Sequence, residues 1–171
     1  MRALNRPVED PKKVFSTCIS IIRNADLKSR LNSCTSLIGE AAMEFEDKLK
    51  IDELHTIAIE TVVNKNVTAK ELEKVYTFRM AKKNTPGREI YNKIILSAPE
   101  GICPFCSHRV VSTIDHYMPK TLFPRLSITP INLIPSCNDC NKLKSSLYPK
   151  DSNEAFIHPY FDMGVIGFCP P

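Results

Sequence analysis

Two pairs of cysteines share one short spacing: Cys103 with Cys106, and Cys137 with Cys140. Two residues between the members of a pair allow a tight turn to present both sulfurs to one ion, and four thiolates suit the tetrahedral preference of Zn²⁺. A disulfide framework is the alternative, but a chain of this length with no apolar export segment near Met1 seldom needs one. The spacing therefore predicts a structural zinc site.

An aspartate and a histidine, Asp115 and His116, lie next to each other between the two cysteine pairs. Hydrolysis of a phosphodiester needs a base that aligns water and a cation that stabilises the charge developing on the phosphate. An imidazole with an ordinary pKa of about 6.5 is mostly neutral at neutral pH and can accept a proton from water. A lone histidine is more often structural, but a carboxylate beside it and a zinc site nearby favour His116 as a catalytic base.

Asp115 and Asn141 offer oxygen ligands for a second metal ion. Oxygen ligation with open positions suits Mg²⁺ or Mn²⁺ better than a second zinc. Because side chains alternate along a strand, Asp115 and His116 can serve one site only where their strand twists or ends, and Pro119 makes an ending plausible. The alternative for Asn141 is a polar residue on a helix surface.

Asn132 and His158 are weaker candidates. The Asn132 amide can bond backbone groups across a loop and so hold the strand that carries His116, although asparagine is also an ordinary turn residue. His158 is a possible further metal ligand or phosphate contact, whereas a packing histidine is commoner.

Four basic residues lie close in sequence to the predicted metal site and are candidates for contacting nucleic-acid phosphates. They are Lys120, Arg125, Lys142 and Lys144. The alternative is that they are solvated surface residues. The formal net charge is only +4, so any nucleic acid is expected to bind a local patch.

Proline divides the chain into two regions. None occurs between Pro11 and Pro86, whereas ten of the thirteen lie from Pro99 onward. This predicts a helical region over residues 1–100 and a loop-rich region over residues 101–171. The seven cysteines and the absence of a membrane-length apolar run indicate a cytoplasmic protein without a membrane partner.

Apolar residues recur at helical spacing in five segments of the first region, which predicts five helices. They begin near Pro11, Leu27, Leu54, Thr68 and Pro86. Asp10 before Pro11 and the capping box formed by Thr68 and Glu71 support two of these starts. The apolar rhythm over residues 27–49 is the longest and predicts one continuous helix.

The second region contains two short β-type segments and a final helix. Residues 109–114 are rich in β-branched side chains and predict a strand that ends at Asp115 and His116. Residues 132–135 are a candidate return strand or loop, and residues 139–147 are typical of a short helix.

Residues 110–120 (VVSTIDHYMPK) and 130–144 (PINLIPSCNDCNKLK) together resemble the HNH endonucleases, most closely the subgroup with four zinc-binding cysteines. The resemblance covers roughly residues 103–144. It implies a ββα-metal core of two strands and a helix, in which His116 is the general base, Asp115 binds the catalytic ion and Asn132 steadies the loop.

The third signature residue of this family is often histidine, whereas this chain has Asn141, which serves as a metal ligand in some members. The resemblance implies an α+β protein with a mostly helical N-terminal region packed on a zinc-stapled HNH core. It also implies hydrolysis of DNA to 5′-phosphate and 3′-hydroxyl ends, with structural Zn²⁺ and catalytic Mg²⁺ or Mn²⁺. RNA remains an alternative substrate.

Residues 85–91 (TPGREIY) and 158–161 (HPYF) also resemble bacterial HNH proteins of phage defence. This implies antiviral defence with a partner, for which a companion ATPase is a candidate. Because no sequence-reading element is evident, cleavage with low intrinsic sequence specificity is expected. The rival hypothesis is a catalytically inactive zinc-knuckle module that binds nucleic acid or protein, and a cysteine redox enzyme is a more distant one.

Overall fold

Helices dominate the first hundred residues. One small antiparallel sheet lies among these helices, and a second follows them. The computed structural model describes residues 2–154 and 156–162. The α-helices of these residues are α1 (Pro11–Ile19), α2 (Ala25–Asn32), α3 (Thr35–Lys50), α4 (Ala69–Val75), α5 (Pro86–Leu96) and α6 (Asn138–Lys144). The strands are β1 (Val62–Val63), β2 (Val67–Thr68), β3 (Thr113–His116) and β4 (Leu133–Ser136). This mixture confirms the α+β class.

Two predicted helix starts are confirmed in detail. The Asp10 side chain accepts a hydrogen bond from the backbone of Lys13 at the start of α1, where Pro11 has no N–H to leave unpaired. At α4, Thr68 and Glu71 form both hydrogen bonds of a capping box.

The continuous helix predicted over residues 27–49 is wrong, because the chain breaks between α2 and α3. Ser33 ends α2 and its hydroxyl donates to the carbonyl of Arg30 at 2.7 Å, which competes with the helical hydrogen-bond pattern. Cys34 nevertheless stays in the right-handed helical region of backbone space (φ −89°, ψ −3°). The apolar rhythm therefore continues across the break, which explains why periodicity alone did not reveal it.

The prediction of a short helix from Leu54 is also wrong, except for one turn at its start. A single 3-10 turn (Leu54–Thr56) is followed by extended chain and by the β1–β2 hairpin, in which Val63 pairs with Val67. Asn64 and Lys65 adopt positive φ angles of 51° and 56° in the connection. Such angles terminate a helix and suit a tight hairpin, and asparagine tolerates them better than most residues.

Helix α4 continues into one π-helical turn, Tyr76–Met80, which brings Tyr76 and Met80 into the interior. Helix α5 then crosses this turn at Gly87. A Cβ atom at Gly87 would lie 2.4 Å from the carbonyl oxygen of Arg79 and 2.7 Å from the Cys18 sulfur. Only glycine permits this close approach without a shift of the backbone.

In the second region, β3 and β4 form an antiparallel pair, and α6 begins directly after β4. Asp115 pairs with Ile134, and His116 pairs with Leu133. The strand begins later than predicted, at Thr113, because the chain around Val110 is exposed and only bridges back to Ile102.

Two hydrophobic clusters join the regions on either side of the boundary predicted near residue 100. The first combines side chains of α1, α3, α4 and α5 with Ile114, Ile128 and Leu133. The second combines Leu4, Ala41, Phe45 and Leu54 with Tyr117, Met118, Phe123 and Ile134. The hairpin therefore packs on the helical region through both faces. Residues 163–171 of the predicted second region lie outside the described residues.

Candidate functional site

The four paired cysteines converge, although one pair precedes β3 and the other lies at the start of α6, directly after β4. Their sulfurs all lie within 4.8 Å of one another, and those of Cys106 and Cys137 are 4.0 Å apart. A Zn–S bond of about 2.3 Å in tetrahedral geometry places sulfurs roughly 3.8 Å apart. The donor set and the spacing therefore fit one zinc ion. The thiols of these cysteines are free, so the disulfide alternative is not supported.

Local backbone structure explains how each pair forms its turn. Cys103 and Cys106 lie in a loop closed by the hydrogen bond from the Ser107 N–H to the Cys103 carbonyl, and Ser107 adopts a φ of 54°. Cys137 is the N-cap of α6, and its sulfur accepts a 3.5 Å hydrogen bond from the Cys140 N–H. One pair therefore belongs to a loop and the other to the start of a helix.

Asp115 is a buried carboxylate on β3, with only 2% of its surface exposed. Its Oδ2 atom has no hydrogen-bond partner, and its charged neighbour is the Lys144 ammonium at 3.5 Å. Burial raises the pKa of Asp115 to about 6, although Lys144 opposes the shift. A buried carboxylate oxygen that accepts no hydrogen bond is a suitable ligand atom for a divalent cation.

His116 is the neighbouring residue on β3, and its ring is also buried. Its Nε2 atom lies 2.9 Å from the carbonyl oxygen of Ser127, so Nε2 carries the hydrogen and donates it. The lone pair of the neutral ring is therefore on Nδ1. The Tyr76 ring packs edge-on against the imidazole with a centroid distance of 4.4 Å. Burial lowers the pKa of His116 to about 3, which keeps the ring neutral near pH 7 and makes it a weak base.

Lys144 connects α6 to both of these residues. Besides its proximity to Asp115, its ammonium donates a 2.6 Å hydrogen bond to the backbone carbonyl of His116. Asn141 lies three residues earlier and therefore on the same face of α6, where it is partly exposed. Lys144 therefore contacts the Asp115 side chain and the His116 backbone, and Asn141 lies one helical turn from Lys144.

Asn132 lies beneath this group and is completely buried. Its amide oxygen accepts a hydrogen bond from the Met118 N–H at 2.7 Å. Its amide nitrogen donates to the carbonyls of Met118 and Leu126 at 3.1 and 3.0 Å. One side chain therefore ties the segment after His116 to the loop that returns toward β4.

His158 lies in a different environment from the other predicted site residues. Its ring is fully buried among the rings of Phe45, Tyr117, Tyr160 and Phe161. The Nδ1 atom accepts a hydrogen bond from the Tyr160 N–H at 3.3 Å. This is the packing environment that the sequence analysis gave as the commoner alternative, and the Nε2 atom of the ring has no hydrogen-bond partner.

The other basic candidates differ in whether their side chains are free to contact a nucleic-acid phosphate. Arg125 is paired with Glu60 at 2.8 Å and lies 4.0 Å from Glu44, which makes it a poor phosphate contact. Lys142 is exposed on α6. The Lys120 ammonium lies 5.7 Å from the centre of the Tyr76 ring, beside His116.

Two groups that contact His116 were missed as site residues by the sequence analysis. Tyr76 lies in the segment that was predicted to form a helix from Thr68, and nothing in the sequence indicated that Tyr76 or the Ser127 carbonyl contacts His116. A backbone acceptor carries no residue-type signal, so no sequence pattern could have identified it.

The chain matches no protein-family model and no solved structure. It is similar to protein ea31 of Escherichia phage lambda, with 38% identity over 116 residues. The match covers 67% of this chain but 39% of ea31, so the chain spans about two fifths of that protein's length. Within residues 2–154 and 156–162, every helix is too short or too polar to cross a membrane.

Proposed function

We propose that this chain is an HNH-type endonuclease that hydrolyses DNA phosphodiester bonds with the help of a divalent cation and has low intrinsic sequence specificity. The observation that carries the proposal is the adjacent, buried pair of Asp115 and His116 on a hairpin that is followed by a helix and flanked by the two pairs of the four-cysteine cluster. A purely structural zinc module has no need to bury a carboxylate oxygen without a hydrogen-bond partner there.

Asp115 and Asn141 are the residues that would hold Mg²⁺ or Mn²⁺. Both supply oxygen ligands, and the unpartnered Oδ2 of Asp115 fits such an ion. When bound, the ion supplies positive charge that stabilises the phosphate and the departing 3′-oxygen. The four cysteines would hold a structural zinc, whose thiolate ligands are unsuitable for Mg²⁺.

His116 would act as the base that aligns and deprotonates water. The Ser127 carbonyl holds the Nε2 hydrogen, which leaves the Nδ1 lone pair for the proton of water. The edge of Tyr76 limits rotation of the ring, and Asn132 fixes the loop that follows it. Each residue therefore has a role that its contacts can support.

The wider context is also a proposal. The chain would act on DNA in the cytoplasm, with RNA as an alternative substrate and with targeting by a companion ATPase or another defence protein. The relative ea31 is a phage protein, so the comparison gives the phage-defence hypothesis no direct support.

One observation favours the rival, an inactive zinc-knuckle module that binds nucleic acid or protein. The His116 ring keeps only 7% of its surface exposed, and Lys144 covers Asp115. An active enzyme must open this site enough to admit water and a phosphate.

Plasmid cleavage distinguishes the two functions. Zinc-loaded wild-type protein should nick plasmid DNA when Mg²⁺ or Mn²⁺ is added, and His116→Ala should lose at least about a hundredfold in rate because the base is gone. The control is His108→Ala, which removes an exposed histidine beside the zinc loop. Equal cleavage by wild type and His116→Ala, or none by either on DNA or RNA, would support the binding module.

A further inference from the structure

Lys144 is the charged group nearest to the unpartnered oxygen of Asp115. Its ammonium lies 3.5 Å from Oδ2, too far for a strong hydrogen bond, while it donates a good 2.6 Å bond to the His116 carbonyl. The Lys144 side chain is only 15% exposed and that of Asp115 3%. The pair is therefore a buried contact that solvent screens poorly.

The Lys144 ammonium and a divalent cation cannot both lie next to Asp115 Oδ2 without electrostatic repulsion. Both would approach the same carboxylate oxygen, and two cations a few ångströms apart repel strongly in a poorly solvated site. The Lys144 ammonium can move away from Asp115, because the side chain has a flexible four-carbon stem and Lys144 is the last residue of α6. Ser145 directly after it has a φ of 48°, so no further helical turn confines the side chain.

We propose that Lys144 is a resident counter-ion of Asp115 that a divalent cation must displace, so that the lysine weakens metal binding in the absence of nucleic acid. This inference rests on the proposed metal site at Asp115. The displaced ammonium remains tethered to α6 and becomes available to a phosphate oxygen. The same residue thus protects the buried carboxylate at rest and joins the substrate site once the ion has bound.

Mn²⁺ binding measured by electron paramagnetic resonance on the zinc-loaded full chain, at mildly alkaline pH, tests the proposal without any cleavage. We expect Lys144→Met to bind Mn²⁺ roughly tenfold more tightly than the wild type, because the competing charge is removed. The matched control is Lys142→Met, which removes the same charge from an exposed position of α6 and should change the affinity less than about twofold.

Two further variants make each outcome decisive. Lys144→Gln is neutral but keeps a donor for the His116 carbonyl, so it provides the measurement if Lys144→Met does not fold. Asp115→Asn should abolish Mn²⁺ binding, so that the signal of the free ion is not reduced when this variant is added. If Asp115→Asn abolishes binding but neither Lys144 variant tightens it, the counter-ion proposal is overturned and the metal site stands. If Asp115→Asn binds like the wild type, the metal site and this inference both fail.

Discussion

At the scale of single residues, the candidate site consists of ionisable groups kept away from water. Transfer of a carboxylate or an imidazolium into the interior is costly, so burial raises the pKa of Asp115 and lowers the pKa of His116. Packing alone would be served better by apolar side chains. The proposed roles in metal binding and catalysis would account for the burial of Asp115 and His116.

Asn132 provides a test of how the residues beneath the site hold it in place. Asn132→Ala leaves a buried N–H and two buried carbonyls without their partners, so we expect a loss of about 3 kcal/mol in the free energy of unfolding. Chemical denaturation of the zinc-loaded protein measures this. Asn153→Ala, at an exposed position, should change stability by less than about 0.5 kcal/mol. A similarly small effect of Asn132→Ala would show that the loop after His116 does not depend on the hydrogen bonds of the Asn132 side chain.

At the scale of secondary-structure elements, the short helix α6 depends on groups outside itself. Seven residues are too few to form a stable helix alone. Its first turn is held by Cys137 and Cys140, and its last turn is bonded to β3 through Lys144. Metal binding by the cysteines should therefore control the order of α6 and, through it, the surroundings of Asp115.

Loss of zinc should reveal this dependence. We expect wild-type protein to contain one zinc ion per chain and Cys106→Ser to contain little or none, with faster hydrogen exchange in α6, because three thiolates bind the ion less tightly. Elemental analysis and exchange mass spectrometry measure the two effects. Cys18→Ala, which removes a buried thiol outside the cluster, should retain its zinc. Full zinc occupancy in Cys106→Ser would contradict a four-cysteine site.

At the scale of the whole molecule, the helical region and the hairpin are joined by shared hydrophobic clusters. Leu133 follows this pattern, since it is fully buried in a cluster formed mainly by α1, α3, α4 and α5 while its neighbour across the sheet is His116. A structure joined in this way should unfold as one cooperative unit.

Leu133→Ala tests that cooperativity. The lost contacts and the cavity should lower the free energy of unfolding by about 2–5 kcal/mol. Helix loss by circular dichroism and zinc release by a colorimetric indicator should shift together. Leu143→Ala is the matched control, because this leucine is 79% exposed on α6 and its removal should cost less than about 0.5 kcal/mol. Two separate transitions would mean that the regions fold independently.

Local patterns in the sequence were sufficient for several features. The cysteine spacing indicated the four-sulfur cluster, the Thr68 and Glu71 pair indicated the start of α4, and the Asp10–Pro11 step indicated α1. The two helix starts depend on residues within a few positions of one another, and the cluster depends on four cysteines whose type and pairwise spacing suit zinc. Periodicity misled at the break between α2 and α3, across which the apolar rhythm continues, and in the β1–β2 hairpin, where the chain is not helical.

The sequence by itself determined which residue types are available for chemistry and where along the chain they fall. Only the tertiary structure decided what surrounds them: Tyr76 and the Ser127 carbonyl around His116, Lys144 against Asp115, and aromatic rings around His158. The physical reason is that burial, hydrogen-bond partners and nearby charges come from segments distant in sequence. These surroundings, rather than residue type, set the pKa and accessibility of a side chain.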